Sequence, residues 1–514
     1  MIGFNKRYQA ARRTGTLTAT TLTVLTLASC ATHDSPLATA QSPRPIGPVT
    51  SNEWYATGQQ QADQRQQQTD NHHRAKNLVL VIGDGMGITT LTAGRIFSGQ
   101  QLGLSGEDFA MSFETLPYSA LVKTYNTDQQ TPDSAGTMTA LVTGTKTRAG
   151  VLSVSPAVIR SDCASGKGQA LDTLMDLALA QGKGTGVVTT TRLTHATPAA
   201  TYAHSVERNW ENDSQLTPAA RAAGCEDIAT QLVHSDLDIA LGGGLAQFLP
   251  ATEGGARQSG DLTDTWQQRP DHHLLTTPAA LHTADLSHGQ WLGLFAPSHL
   301  PYVDDRDEQT PGLLDMTQAA VQRLSHNPKG YVLVIEAGRI DHAHHAGNGY
   351  RALKETEELH QTVAWLLQSL DLDNTLLLVT ADHSHTLTLA GYPTRGNPMT
   401  ALVTGNDAHG HPSTEPDRLA DGQHYTSMNY RNGPGAVTLP RPAITAAEVQ
   451  APDYRQQALV PLEAETHGGE DVAVYGAGPW SDLLGGTLEQ HWLFHLMRHA
   501  LTVETAPEQA TVAH

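Results

Sequence analysis

A chain of 514 residues is long enough for one large domain or two to three ordinary ones, and it buries a core easily. It carries 32 Lys and Arg against 52 Asp and Glu, a formal charge of −20, which argues against a nucleic-acid partner held on a basic face. Beyond the amino terminus no stretch approaches the roughly 20 apolar residues of a membrane-spanning helix, so membrane contact is expected only through a tether.

The amino terminus is a processing segment. Lys6, Arg7, Arg12 and Arg13 form a positive region and Thr14–Leu27 a short Thr- and Leu-rich one; Leu27-Ala28-Ser29-Cys30 then resembles the lipobox of bacterial lipoproteins. Residues 1–29 are expected to be a lipoprotein signal with Cys30 lipidated; an ordinary secretory signal is the alternative. Either way the chain is exported, to the periplasm or cell envelope. Residues 30–51, rich in Pro, Ser and Ala, predict a flexible tether. Residues 52–75, Gln-rich with a few periodic apolar positions, predict an exposed helix suited to packing on a partner subunit. In an exported chain Cys163 and Cys225 form one bridge, the economical reading, or stay as two buried thiols.

The body is expected over 76–505, with a flexible tail over 506–514. Strand-like runs at Leu78–Ile82, Ala120–Tyr125, Gly186–Thr190, Leu237–Leu241, Tyr331–Ile335 and Leu376–Thr380 alternate with helical stretches at Asp172–Ala180, Asp315–Leu324 and Arg351–Leu370. Short apolar strands separated by helices predict a three-layer α/β/α fold around a large, mostly parallel sheet. Two regions interrupt the pattern: Pro250–Thr310, polar and His-rich, predicts an irregular surface elaboration, and 391–435 predicts an inserted subdomain.

Six short segments, each read as an apolar run ending in a ligand or nucleophile, carry the chemistry. They end in Asp84, in Asp133-Ser134, in His195-Ala196-Thr197, in Glu336 with Asp341 to His345, in Asp382-His383-Ser384-His385, and in Glu465-Thr466-His467. Alone, each is a turn, a cap or an ion pair. Together, beside strand ends, they predict a bimetallic site. Gathered carboxylates at Asp84, Glu336, Asp341 and Asp382 repel one another unless cations intervene. Asp341 and His345, four residues apart, face the same side of a helical turn. The oxygen and nitrogen donors, with no cysteine, suit zinc plus a harder ion such as magnesium. Ser134 stands where a helix begins, and a helix amino terminus favours an anion and a serine alkoxide. No Gly-x-Ser-x-Gly elbow exists to supply an acyl-transfer triad, so metal activation is the available route. Arg208 is either a phosphate fork or a surface ion pair with Glu207 or Glu211.

These blocks resemble the alkaline phosphatase family. Gly83-Asp84-Gly85-Met86-Gly87, Asp133-Ser134, His195 to Ala199, Arg339 to His345, Thr380 to His385 and Glu465-Thr466-His467 match its motifs, and the likeness runs from about Asn77 to Arg498. Thr201-Tyr202-Ala203-His204 and Gly468 to Val474 look closer to its animal-type members. The resemblance implies an alkaline phosphatase acting on phosphate monoesters through a phosphoserine at Ser134, with two zinc ions and one magnesium per subunit. It implies Asp341, His345 and His467 on one zinc, and Asp84, Asp382 and His383 with Ser134 on the other. Magnesium falls to Asp84, Thr197 and Glu336, and two phosphate oxygens to Arg208. His195 and His342 match the histidine pair beside the magnesium, with Asp133 next to the nucleophile. The family's cysteine pattern supports the Cys163–Cys225 bridge, 391–435 corresponds to its crown, and its usual state is a homodimer. One departure stands out: the Phe-Glu pair of a further calcium site becomes Phe295-Ala296, and its downstream acid falls on Thr310, so no fourth ion is expected. The rivals are a phosphodiesterase or sulfatase of similar build and a binding lipoprotein without turnover, which an intact Ser134 and Arg208 argue against.

Overall fold

The computed structural model describes residues 53–285 and 287–503. The signal segment 1–29, Cys30, the tether up to residue 51 and the tail 506–514 lie outside the described residues. Among the described residues no helix is long and apolar enough to cross a membrane.

Two units result. The first contains the helix Glu53–Gln66, mostly exposed and carrying a Gln59-to-Asp63 side-chain bond of 2.9 Å at i,i+4 spacing. It ends well short of the expected residue 75. Thr69, Asp70 and Asn71 favour turns over helix, and the Asn71 side chain accepts the His73 N–H at 3.0 Å.

The second unit is built on ten strands: β1 (Asn77–Gly83), β2 (Tyr118–Lys123), β3 (Gly184–Arg192), β4 (Ile239–Gly243), β5 (His272–Leu275), β6 (Gln290–Leu294), β7 (Tyr331–Ala337), β8 (Thr375–Ala381), β9 (Val472–Ala477) and β10 (Thr487–Glu489). Their order across the sheet is β10-β2-β9-β8-β1-β7-β3-β4-β6-β5. All pairings are parallel except the two made by β9, so nine strands point one way and β9 the other. The central strands β1, β7 and β8 are apolar almost throughout and buried, as a sheet covered on both faces requires. Helices Leu313–Leu324, Gly349–Ser369 and Trp492–Thr502 each bury an apolar stripe.

Three expectations need correction. Pro250–Thr310 is not merely irregular surface, for it supplies β6, which pairs with β4, and β5, the edge strand beyond it. The Trp291, Leu292 and Leu294 side chains of β6 are buried, while polar flanks hide a strand this short from a periodicity reading. The same region is anchored by Arg257, whose guanidinium donates to both carboxylate oxygens of Asp227 at 2.8 and 3.2 Å, with both side chains almost fully buried. Secondly, the 391–435 region is not self-contained. It shares a three-stranded sheet whose strands are Leu387–Leu389, Met428–Gly433 and Ala458–Pro461, two of them outside the expected bounds. Thirdly, no strand leads into Ser134, which is reached through a loop. Cys163 and Cys225 form the disulfide, with Cα atoms 5.9 Å apart.

Two predictions follow from this packing. Arg257→Ala strands the buried Asp227 carboxylate and is expected to destabilise the protein by about 3–5 kcal/mol, read from the denaturant midpoint; a change near zero contradicts the anchor. Glu355, buried on the helix Gly349–Ser369 and accepting the Val303 N–H at 2.8 Å, has its pKa raised to about 7 by burial and then by Glu358. A raised folded-state pKa gives stability that is complete below the unfolded value and is lost as pH climbs through about 7. Glu355→Gln should therefore flatten the decline in melting temperature between about pH 5 and 8, and an unchanged pH profile would exclude this.

Candidate functional site

The carboxyl ends of β1, β7 and β8, neighbours in the sheet, deliver Asp84, Glu336 and the pair Asp382-His383. The short helix Arg339–His345 after β7 carries Asp341 and His345 on one face. His467 precedes β9, and because β9 runs backwards its amino end meets the carboxyl ends of the others. His467–Gly468 pairs with Ser384–His385 to fix this approach. Gly85 is demanded by position: its φ is +71°, and a Cβ there would come within 2.4 Å of the His385 ring. Its N–H donates to Asp382 Oδ1 at 3.0 Å.

Three donor sets result. In the first, Asp341 Oδ1, His345 Nε2 and His467 Nε2 stand 3.3, 3.4 and 3.1 Å from one another. A tetrahedral ion with bonds of about 2.0–2.1 Å spaces its donors by roughly 3.3–3.4 Å. The tautomers agree. His345 Nδ1 donates to the Glu465 carbonyl at 2.5 Å and His467 Nδ1 to the Pro132 carbonyl at 2.7 Å, so both Nε2 atoms present lone pairs. Lone pairs facing each other at 3.1 Å repel unless a cation lies between them.

The second set surrounds His383. Its Nδ1 donates to the Ser384 carbonyl at 3.3 Å, which leaves the Nε2 lone pair 3.4 Å from Asp84 Oδ1, 3.3 Å from Asp382 Oδ2 and 3.1 Å from Ser134 Oγ. The third joins Asp84 and Glu336. Thr197 Oγ1 donates to Asp84 Oδ2 at 3.3 Å, and Thr191 Oγ1 to Glu336 Oε2 at 3.2 Å, with Thr189 sharing that oxygen. Asp84 Oδ1 and Glu336 Oε1 are buried with no hydrogen-bond partner. Orphaned anionic oxygens in a dry site are what a hard, oxygen-preferring cation satisfies.

Electrostatics tell the same story. Burial, then the Asp382, Asp341 and Glu336 carboxylates, push Asp84 far above the usual range. Burial raises Asp382 also, and Glu336 to about 7. Asp341 goes the other way: burial opposes ionisation, but His345, His385 and His467 hold it low. His385 was not assigned a role from sequence. Its Nε2 lies 2.7 Å from Asp341 Oδ1 and its Nδ1 2.5 Å from Glu465 Oε2, so it clamps the Asp341 carboxylate from behind. Burial alone would lower its pKa, but Glu465 and Asp341 raise it to about 10. Glu465 is in turn held by the Thr386 N–H and hydroxyl, each at 2.6 Å. The only signal for these two was their place beside His383 and His467.

Ser134 opens the helix Ser134–Thr143, buried, with Asp133 as its cap. Asp133 has two tasks. Its Oδ1 accepts the Gly136 N–H at 3.1 Å and the Asn126 amide at 3.0 Å, while its Oδ2 accepts the Gly150 N–H at 2.9 Å and Arg208 Nη1 at 3.0 Å. Against burial, Arg208 and the backbone donors hold its carboxyl low. The surface-pair alternative for Arg208 fails, because Glu207 is taken by Arg160 at 2.7 and 2.8 Å and Glu211 by Arg192 at 2.6 and 2.7 Å. Arg208 Nη2 donates to His195 Nε2 at 3.2 Å, and a ring nitrogen of His195 lies within 4.8 Å of Asp84 and Glu336 oxygens. His342 packs 5.4 Å from His195, and His299, unforeseen, sits 4.1 Å from His342. Burial keeps His195 and His342 neutral. Ala296, near this region, offers no side-chain oxygen, and Thr310 bonds only locally to Asp307.

The residues predicted to bind metal or act in catalysis thus come together at one end of the sheet: cation-hungry donors, a serine among them, and a guanidinium beside it. The family model described as alkaline phosphatase matches residues 75–503. The tissue-nonspecific alkaline phosphatase isozyme of Gallus gallus is 40% identical over 462 residues, 84% of this chain and 86% of that protein. Among solved structures, the alkaline phosphatase of Thermus thermophilus aligns with a TM-score of 0.60 at 22% identity, over 85% of this chain and 94% of its own. A histidine-to-aspartate variant of the TAB5 enzyme, solved with magnesium bound in a site called M3, aligns at 0.57 and 21%, over 84% and 100%. The structural matches speak for the fold; the sequence matches, running the length of the body, mean that this chain belongs to the alkaline phosphatase family and hydrolyses phosphate monoesters.

Proposed function

We propose that hydrolysis proceeds through a phosphoserine on Ser134, at a site where Asp341, His345 and His467 would hold one zinc, Asp84, Asp382 and His383 a second, and Asp84, Thr197 and Glu336 a magnesium. The observation that carries this reading is the convergence of the His383 lone pair, two carboxylates and Ser134 Oγ within 3.4 Å. When bound, the cations lower the pKa of hydroxyl groups and neutralise charge on the attacking and leaving oxygens. Everything else falls to this chain. Ser134 Oγ attacks the phosphorus in line and the alcohol departs; water then attacks the phosphoserine, phosphate leaves and the serine hydroxyl is restored. The helix amino terminus presents N–H groups to the anion. Asp133 and His195 each fix one arm of Arg208, leaving its remaining N–H groups for phosphate oxygens.

The same reading makes the enzyme an exported, lipid-anchored homodimer. The Cys30 lipobox and the exposed helix Glu53–Gln66 support it. Labelled palmitate entering the wild type but not Cys30→Ser tests the anchor.

Ser134→Ala should lower turnover by roughly a thousandfold or more and abolish the acid-stable phosphoenzyme, while zinc content stays at the wild-type level. Labelled phosphate attached to the variant at wild-type yield would assign the nucleophile elsewhere.

His195 and His342 are neutral where a carboxylate would bind a hard ion directly, so magnesium is held loosely and phosphate leaves fast. The double variant His195→Asp with His342→Lys is expected to tighten magnesium by roughly tenfold or more, judged by dialysis, and to slow turnover through retained phosphate. Unchanged magnesium affinity together with unchanged phosphate inhibition rules this role out.

A further inference from the structure

At the opposite edge of the sheet, the amino ends of β1, β7 and β3 border a cavity of about 430 Å³ lined by Arg74, Ala75, Lys76, Gln181, Lys183 and Lys329. Four of these six residues are cationic and none is acidic, in a chain whose acids outnumber its bases by 52 to 32. None of the four makes an ion pair with a described residue. Lys183 is 6% exposed, and its ammonium donates to the Lys76 and Lys329 carbonyls at 2.7 and 2.9 Å. An ammonium has three N–H groups, so one is left without an acceptor among the described residues. Arg74 uses Nε on the Leu501 carbonyl at 2.8 Å and Nη2 on Gln181 Oε1 at 3.1 Å, which holds its fork in place with further N–H groups to spare. Lys329 closes over Gly182, where a Cβ would stand 2.8 Å from its Nζ.

Burial and like charge act together in this cavity. Burial first, then Arg74 and Lys76, lower the Lys183 pKa to about 8. Like charges gathered without a counterion are destabilising, and an anion seated among them relieves that cost. A single carboxylate neutralises one of four cations. A phosphate group, with one charge as a diester and up to two as free phosphate, has tetrahedral oxygens that engage an arginine fork and ammonium donors together, which the two coplanar oxygens of a carboxylate do not.

We propose that this cavity is a second anion site, remote from the catalytic edge, that takes a phosphate group through Arg74, Lys76, Lys183 and Lys329. Inorganic phosphate and a phospholipid headgroup both offer that chemistry, and the test separates them. It uses the full-length, metal-loaded enzyme carrying Cys30→Ser, so that no lipid tether contributes. Equilibrium dialysis against labelled inorganic phosphate is expected to find one bound phosphate beyond that at the catalytic site. In parallel, sedimentation compares vesicles of phosphatidylglycerol with vesicles of phosphatidylcholine. Gln181→Glu, a near-isosteric change that brings a carboxylate to Arg74, and the triple variant Arg74→Gln, Lys76→Gln, Lys329→Gln should each weaken the extra binding at least tenfold. The kcat/KM for a monoester should stay within about twofold. Extra phosphate lost in the variants identifies free phosphate as the ligand. Phosphatidylglycerol binding lost in them, with no extra phosphate, identifies the headgroup. One phosphate per subunit and equal partition between the two vesicles overturns the proposal, as does extra binding that survives Gln181→Glu.

Discussion

Four carboxylates buried at one end of a sheet cannot all be ionised without cations, and most of the site is arranged around that constraint. Asp84, Glu336 and Asp382 sit on adjacent strands β1, β7 and β8, whose register brings their ends level. Left alone, burial and mutual repulsion drive all three toward the protonated state. The fourth, Asp341, escapes because three imidazoles surround it. The balance between the two behaviours divides the site into a nitrogen-rich half and an oxygen-rich half, and Asp84 touches both of its carboxylate neighbourhoods. Different ions suit the two halves for that reason.

Supporting groups do as much as the donors themselves. The two imidazoles of the first donor set, His345 and His467, are each fixed in their tautomer by a carbonyl behind them, of Glu465 and Pro132. Asp133 links Ser134 to Arg208: one oxygen caps the helix that begins with Ser134, the other holds the guanidinium. Any change that moves the cap also moves the guanidinium. The Cys163–Cys225 bridge, 62 residues apart in sequence, closes a loop that contains His195, Thr197 and Arg208, so it limits the drift of the guanidinium in a second way.

Much of this was legible in the sequence because apolar strands are short, fully buried and punctuated by ligands. Leu78–Ile82 and Leu376–Thr380 matched β1 and β8 almost to the residue. What escaped was structure whose stability is not local. β5 and β6 carry polar flanks and become strands by pairing, β6 with β4 and β5 with β6. The antiparallel course of β9, which alone explains how His467 reaches the site, is a property of long-range pairing with no sequence mark. His385, Glu465 and His299 went unassigned because their partners are dozens to hundreds of residues away. Arg208 was undecided until Glu207 and Glu211 were seen to be occupied.

The same apolar strands that make the fold readable also sort its charges. A residue inside β1, β7 or β3 is buried on both faces, so ionised side chains can stand only at the strand ends. The parallel course then puts all carboxyl ends on one edge and all amino ends on the other. Along these three neighbours the carboxyl edge collects Asp84 and Glu336, and the amino edge collects Lys76, Lys329 and Lys183. Neither group can neutralise the other across the length of a strand. Among the described residues neither edge meets its counter-charge, which leaves cations to serve one and, on the proposal above, an anion the other.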